Sequence, residues 1–171
     1  IARTIDREPK HLKEILMRAE KHQGTSLVEI YQNCNIFNDG AFIEFTDNNI
    51  KKENTLFLKH GEPLIFGPKE EKGIILDGFQ VQIVHLDDGS YTKDDLWIHD
   101  EKDRNKANIL TRFFDDPSQD KALPRPFGVF YQEDRFCYEK ALADQVSYEK
   151  QNNPSSDIDD LLAGFNTWEV P

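Results

Sequence analysis

The residue with the clearest capacity for chemistry is Cys34, which lies in a stretch of amides and acids at residues 32–40 (Gln-Asn-Cys-Asn-Ile-Phe-Asn-Asp-Gly). Cysteine thiolates ligate iron–sulfur clusters, and backbone amides commonly donate hydrogen bonds to the ligating sulfurs. The alternative is a half-buried, unreactive thiol, because free cysteine is among the residue types most often buried. The other cysteine, Cys137, is far away in sequence and forms no Cys-x-x-Cys pair. We interpret Cys137 as structural.

A second concentration of polar residues lies in residues 94–101. Its members are Asp94, Asp95, His99, Asp100 and Glu101. Such a group could bind a hard cation, whereas the alternative is a turn that contains a hydrogen-bonded imidazole. The five histidines of the chain form no His-x-x-x-His pair, which argues against a zinc site.

The elements that must position Cys34 are two strands and a helix. Residues 1–5 are typical of a strand, and Pro9 suits the first turn of a helix. Apolar residues then recur at helical spacing until Gly24, and residues 26–31 are again typical of a strand. The pattern predicts a parallel strand–helix–strand unit. Cys34 follows the carboxyl end of its second strand, where open α/β sheets bind ligands.

The remainder of the chain predicts short strands and three helices. Strands are predicted at residues 63–66, 73–76, 80–86, 96–99 and 127–132, and helices at 105–114, 138–151 and 157–163. A turn is predicted at Asp77-Gly78 and a loop between Pro117 and Pro124–Pro126, and residues 42–58 stay ambiguous between helix and coil. The predicted fold class is α/β, a βαβ portion in residues 1–40 followed by a mixed α+β carboxyl-terminal extension in residues 41–171.

Composition excludes several functional classes. The 171 residues carry a net charge of −11, which argues against a general nucleic-acid binder. No apolar run approaches the roughly 20 residues that span a bilayer, so no membrane partner is expected. Two cysteines fit a reducing cytoplasm. The sequence begins with Ile1, and its first residues are typical of an interior strand. We therefore expect the chain to be a piece of a longer polypeptide, with the missing neighbours of the sheet upstream.

Several runs of residues carry a resemblance to a known family. The most specific is Tyr-Gln-Asn-Cys-Asn-Ile-Phe-Asn-Asp at residues 31–39, and it is accompanied in the same order by residues 1–6, 9–16, 24–30, 61–67, 72–78, 94–101, 126–130 and 167–170. These runs resemble the later part of the beta subunit of 2-oxoacid:ferredoxin oxidoreductases, most closely the 2-oxoglutarate branch. The likeness spans nearly the whole chain.

The resemblance implies a function for the complete subunit. Beta subunits of this family bind thiamine diphosphate with Mg²⁺ and one [4Fe–4S] cluster. They decarboxylate a 2-oxoacid, transfer the acyl group to coenzyme A and pass electrons to ferredoxin, together with an alpha subunit. Cys34 matches the last cluster cysteine of the family. The family's other cluster cysteines and its Gly-Asp-Gly…Asn motif have no counterpart here, so we expect no catalytic residue, no bound cofactor and no activity in this fragment.

A different class of function stays open at this stage. The alternative is a non-catalytic acidic interaction domain with an unremarkable cysteine. If sheet neighbours are missing, the strand at residues 1–5 and the apolar face of the following helix are left partly uncovered. We therefore expect self-association of the fragment through residues 1–31.

Overall fold

The computed structural model describes residues 1–114, 123–152, 157–164 and 168. The chain divides into two compact units, Ile1–Asp134 and Arg135–Pro171. The strands of the first unit are β1 (Ala2–Ile5), β2 (Val28–Tyr31), β3 (Thr55–Phe57), β4 (Ile65–Phe66), β5 (Lys72–Asp77), β6 (Gln80–His85) and β7 (Arg125–Val129). Its helices are α1 (Pro9–Lys21), α2 (Ile43–Thr46), α3 (Lys51–Asn54) and α4 (Arg104–Thr111), with a 3₁₀ turn at Lys93–Asp95. The second unit contains α5 (Tyr138–Asn152) and α6 (Ile158–Ala163).

The predicted strand–helix–strand unit is confirmed. Strands β1 and β2 are parallel, with Ala2 opposite Val28 and Ile5 opposite Tyr31. Helix α1 begins with a proline in its first turn, where the missing N–H has no intrahelical partner to lose. The buried side chain of Ile15 packs against the first strand, so the apolar stripe of α1 attaches the helix to the sheet.

Strand β7 completes this sheet from far along the chain. The strand order is β2-β1-β7-β3, with β7 antiparallel to β1 and parallel to β3. The expectation that residues 1–5 have an uncovered edge is therefore wrong, because β1 is paired on both sides. Among the described residues, β2 pairs with β1 alone, and its neighbourhood exposes Leu27 and Ile30.

A smaller antiparallel sheet, β4-β5-β6, lies in the same unit. The predicted turn at Asp77-Gly78 is confirmed, because Asp77 pairs with Gln80 and Gly78 has a φ of +61°. The strand predicted at residues 96–99 is wrong. Trp97 accepts a hydrogen bond from Leu64 and donates one to Ile74, so its backbone bridges two chain segments instead of joining one ladder. Its indole is buried among the aliphatic residues of the main core.

Other predicted boundaries shift by a few residues. The ambiguous stretch at residues 42–58 contains two short helices and β3, and the strand predicted at 127–132 instead occupies Arg125–Val129. Helix α4 is shorter than predicted and begins after Asp103, whose carboxylate accepts the N–H groups of Asn105 and Lys106. The predicted loop bounded by Pro117 and Pro124–Pro126 lies outside the described residues as far as residue 122, and its end is wrong, because β7 already begins at Arg125.

The helices of the second unit lie within one residue of their predicted bounds. Helix α5 spans Tyr138–Asn152 and buries none of its residues, and α6 spans Ile158–Ala163. The Asp157 carboxylate accepts the N–H of Asp159 at 3.0 Å, as expected for a residue that caps a helix start. Within the described residues, every helix is too short or too polar to cross a bilayer.

The fold class is thus mixed α/β, with a sheet that combines parallel and antiparallel pairs. Because β7 joins β1, residues on both sides of position 40 contribute to one sheet. The boundary at residue 40, between the βαβ portion and the carboxyl-terminal extension, stays a prediction.

Candidate functional site

The loop that contains Cys34 begins where β2 ends. Tyr31 is the last residue of β2, and its carbonyl accepts the N–H of Asp6, the residue that follows β1. The loop therefore starts at the carboxyl edge of the parallel pair, as the sequence predicts. At its other end, the ring of Phe42 stacks on the Tyr31 ring with centroids 4.4 Å apart. This stack fixes the two ends of the loop against each other.

Backbone hydrogen bonds shape the environment of the Cys34 sulfur. The N–H groups of Phe37 and Ile36, and to a smaller extent that of Asn38, hold the pKa of the Cys34 thiol below its usual range. Burial and the nearby Asp39 carboxylate oppose this effect without cancelling it. The thiolate is the form of cysteine that binds metals. These hydrogen bonds therefore shift this half-buried thiol in the direction of the form that ligates metals.

The loop also presents two apolar side chains beside Cys34. The side chains of Ile36 and Phe37 are 84% and 90% exposed. Their N–H groups contribute to the lowered pKa of the Cys34 thiol, while their side chains remain uncovered. Exposed apolar groups next to a polar site are typical of surfaces that contact a further group or segment.

Sequence reasoning missed the residue that holds the loop together, Asn33. Its Nδ2 donates to Asn35 Oδ1 at 2.7 Å and to Asp39 Oδ1 at 2.9 Å, while its Oδ1 accepts the Gly40 N–H at 2.8 Å. The concentration of amides around Cys34 was the available signal. It could not identify which amide acts, because side chains of the same type are interchangeable in a sequence pattern.

Cys137 belongs to the second compact unit, whereas Cys34 belongs to the first. The Cys137 thiol donates to the Glu139 carboxylate at 2.6 Å, a contact within one turn of chain at the start of α5. This local contact fits the structural interpretation.

The polar group at residues 94–101 is dispersed among separate partners. Asp95 accepts hydrogen bonds from the Thr92 backbone and hydroxyl, Glu101 binds Arg18, and His99 binds the Val129 carbonyl. Among the described residues, no three histidine, cysteine or carboxylate side chains are grouped as metal ligands. The arrangement matches the turn alternative, with Nε2 of His99 donating at 2.8 Å.

Burial of His99 predicts a pH dependence of stability. Burial lowers the pKa of His99, and also that of His11, below the ordinary value of 6.5. The unfolded chain then binds more protons than the folded chain as the pH falls through 6.5, so the free energy of unfolding decreases in that range. We expect His99→Gln to reduce this decrease, as measured by urea unfolding between pH 7 and pH 5. His85→Gln, at a histidine that is 53% exposed, is the matched control. Equal slopes for His99→Gln and the unsubstituted chain would contradict the assignment.

Comparison with known proteins shows which proteins this chain is similar to. It is a homologue of oxidoreductase beta subunits, which confirms the resemblance inferred from its sequence. It is 32% identical over 174 residues to the 2-oxoglutarate oxidoreductase subunit KorB of Mycobacterium tuberculosis, an alignment that covers 99% of this chain and 45% of that protein.

Two archaeal relatives extend the comparison. The 2-oxoacid:ferredoxin oxidoreductase subunit beta of a Sulfolobus species is 36% identical over 70 residues, 41% of this chain and 22% of that protein. The subunit of the same name from Saccharolobus solfataricus is 24% identical over 174 residues, 95% of this chain and 45% of that protein. The chain thus spans about half the length of the relatives that it matches throughout. No protein-family model and no solved structure matches the chain.

Proposed function

We propose that this chain is part of the beta subunit of a 2-oxoacid:ferredoxin oxidoreductase, and that Cys34 is one of the thiolate ligands of a [4Fe–4S] cluster. The observation that carries the proposal is the homology of the chain, over 99% of its length, to an oxidoreductase subunit; the lowered pKa of the Cys34 thiol supports it. The same homology favours an enzyme over a non-catalytic acidic interaction domain.

The residues present fit one corner of such a cluster. Cys34 offers a sulfur whose pKa is lowered by N–H donors, and a thiolate is what iron binds. When bound, the cluster supplies one-electron transfer. In this proposal the chain would bind one iron through Cys34, and the N–H groups that lower the thiol pKa would offset negative charge on the sulfur. The remaining ligands would come from outside this chain.

The residues present do not fit thiamine diphosphate and Mg²⁺. The sequence contains no Gly-Asp-Gly segment, so we derive no step through this cofactor from the chain. In our proposal both bind to the remainder of the complete subunit, which acts with an alpha subunit in the cytoplasm. It would convert 2-oxoglutarate, or another 2-oxoacid, and coenzyme A to acyl-coenzyme A and pass the electrons to ferredoxin.

The reaction is tested on the complete polypeptide that contains this sequence, purified with its partner subunit. We expect 2-oxoglutarate to support coenzyme A-dependent reduction of ferredoxin, with pyruvate as the comparison substrate. Reduction with pyruvate but not with 2-oxoglutarate would correct the substrate. Failure of every 2-oxoacid would overturn the proposed reaction.

We expect the 171-residue chain alone to have no measurable affinity for thiamine diphosphate and no oxidoreductase activity. The diphosphate and Mg²⁺ require oxygen ligands arranged around them, and the segment that supplies these ligands in the family is absent from the sequence. Calorimetric titration of the chain with thiamine diphosphate and Mg²⁺ measures this affinity. Micromolar binding would contradict the prediction.

Self-association of the isolated chain stays a prediction, but its location changes. Strand β1 is internal, whereas β2 has one described neighbour and exposes Ile30, next to the exposed Leu27 that precedes the strand. We therefore assign any strand-to-strand association to β2.

A further inference from the structure

We propose that Asp39 and Gly40 form a latent site of isoaspartate formation, and that the carboxamide of Asn33 keeps this site closed. Aspartate followed by glycine is the aspartyl dipeptide most prone to this modification, because glycine has no side chain to hinder the ring that forms. The sequence contains three Asp-Gly dipeptides, at residues 39–40, 77–78 and 88–89. The proposal concerns the chain itself and does not depend on the proposed function.

The modification is a rearrangement of the main chain. The Gly40 nitrogen attacks Asp39 Cγ, the nitrogen loses its proton and the carboxyl group loses a hydroxyl, so that water leaves and a five-membered succinimide remains. Water then adds to the ring and breaks one of its two carbon–nitrogen bonds. Breaking the bond to Cγ restores aspartate, whereas breaking the bond to the main-chain carbonyl carbon leaves isoaspartate, joined to Gly40 through its side chain. The water lost in the first step is regained in the second, so no oxidant or reductant is needed.

Packing does not prevent this reaction at Asp39. Asp39 and Gly40 are both exposed, and Gly40 has a φ of +79°. A Cβ added at Gly40 would meet no atom within 4 Å. The surroundings therefore leave room beside Gly40 for the ring and for the water that opens it.

Hydrogen bonds to one side chain hold both reacting groups instead. Asn33 Oδ1 accepts the Gly40 N–H at 2.8 Å, and Asn33 Nδ2 donates to Asp39 Oδ1 at 2.9 Å. The attacking nitrogen and the carboxyl group are thus held at the two ends of one planar carboxamide. Both bonds must break before the nitrogen can turn onto Cγ, so Asn33 opposes closure of the ring.

The other two Asp-Gly dipeptides lack this arrangement. The Asp88 carboxylate accepts the Ser90 N–H at 2.9 Å, so only one of its two reacting groups is held. In the described part of the chain, no side chain accepts the N–H of Gly78 or of Gly89. Because neither dipeptide is bonded to Asn33, both serve as internal controls.

The experiment incubates the folded 171-residue chain and its Asn33→Ala variant at neutral pH. Electron-transfer fragmentation of proteolytic peptides in a mass spectrometer distinguishes isoaspartate from aspartate and gives the rate at each dipeptide. We expect Asp39 to isomerise about tenfold faster in Asn33→Ala, because two side-chain hydrogen bonds no longer oppose ring closure. The rates at Asp77 and Asp88 should not change. An unchanged rate at Asp39 would overturn the proposal.

Asn35→Ala is the matched control. It removes the third bond of the Asn33 carboxamide, from Nδ2 to Asn35 Oδ1 at 2.7 Å, and leaves the bonds to Asp39 and Gly40 in place. The rate at Asp39 should therefore stay near that of the unsubstituted chain. Equal acceleration in Asn35→Ala and Asn33→Ala would show that general loosening of the loop controls the reaction, which would refute the role of the two bonds.

Asn33→Asp keeps the proposal testable if Asn33→Ala disturbs the fold and accelerates all three dipeptides. A carboxylate at this position can still accept the Gly40 N–H but cannot donate to Asp39, so we expect an intermediate rate at Asp39 alone. A rate as slow as that of the unsubstituted chain would contradict the requirement for both bonds. In urea that unfolds the chain, Asp39 should isomerise in every variant at the same rate. Absence of isoaspartate at Asp39 in the unfolded chain would show that the site is not latent.

Discussion

In the complete protein, we expect Cys34→Ser to remove or destabilise the cluster and to abolish most electron transfer to ferredoxin, while the subunits still assemble. Loss of one thiolate leaves an iron without its ligand, and a serine hydroxyl is a poor substitute at neutral pH. Assembly should survive because Cys34 lies in a surface loop outside the buried clusters of the described residues. Iron content, the paramagnetic signal of the reduced cluster and ferredoxin reduction measure the effect.

Cys137→Ser is the matched control for this experiment. The Cys137 thiol contacts Glu139, a neighbour in its own unit, and a hydroxyl can make the same contact. We expect iron content and ferredoxin reduction to be unchanged in this variant. Full ferredoxin reduction by Cys34→Ser would refute the assignment of Cys34 as a ligand.

The largest expected effect on stability comes from Gly128→Ala in β7. Gly128 has a φ of +135°, and an added Cβ would lie 2.7 Å from the Leu58 carbonyl oxygen and 2.8 Å from the Leu58 Cβ. Left-handed backbone strain and a clash with main-chain atoms both oppose the substitution, so we expect a loss of about 3 kcal/mol or more. Urea unfolding of the chain, followed by circular dichroism, measures this loss.

Gly61→Ala separates the two contributions. Gly61 has a φ of +77°, and an added Cβ there would meet no atom within 4 Å. This variant should suffer backbone strain alone and lose about 1 kcal/mol. Equal losses in the two variants would show that the close approach between β7 and Leu58 contributes nothing.

Local patterns account for the parts of the fold that the sequence predicts. Helix α1, its two flanking strands and the hairpin of β5 and β6 follow from apolar periodicity and from glycine at the turns, which act over a few residues. The carboxyl-edge position of the Cys34 loop follows from the parallel unit in the same way.

The missed features depend on partners distant in sequence. Strand β7 begins with Arg125 and Pro126, residues that indicate a loop until the neighbouring strands β1 and β3 are known. The segment around Trp97 forms no strand because the backbone of Trp97 is bonded to Leu64 on one side and to Ile74 on the other, two residues from different parts of the chain. The role of Asn33 depends on three simultaneous contacts, which composition does not encode.

The position of β7 in the sheet has a consequence for how the chain folds. Strand β1 is made well before its antiparallel neighbour at residues 125–129, so this pairing closes a very long loop. Pairings between distant segments form slowly, and until they form the unpaired strands can associate with other chains. During synthesis, the nascent chain must carry β1 and β3 without their common neighbour until Val129 has left the ribosome. Strand β1 therefore depends for its final pairing on a segment translated near the end of the first compact unit.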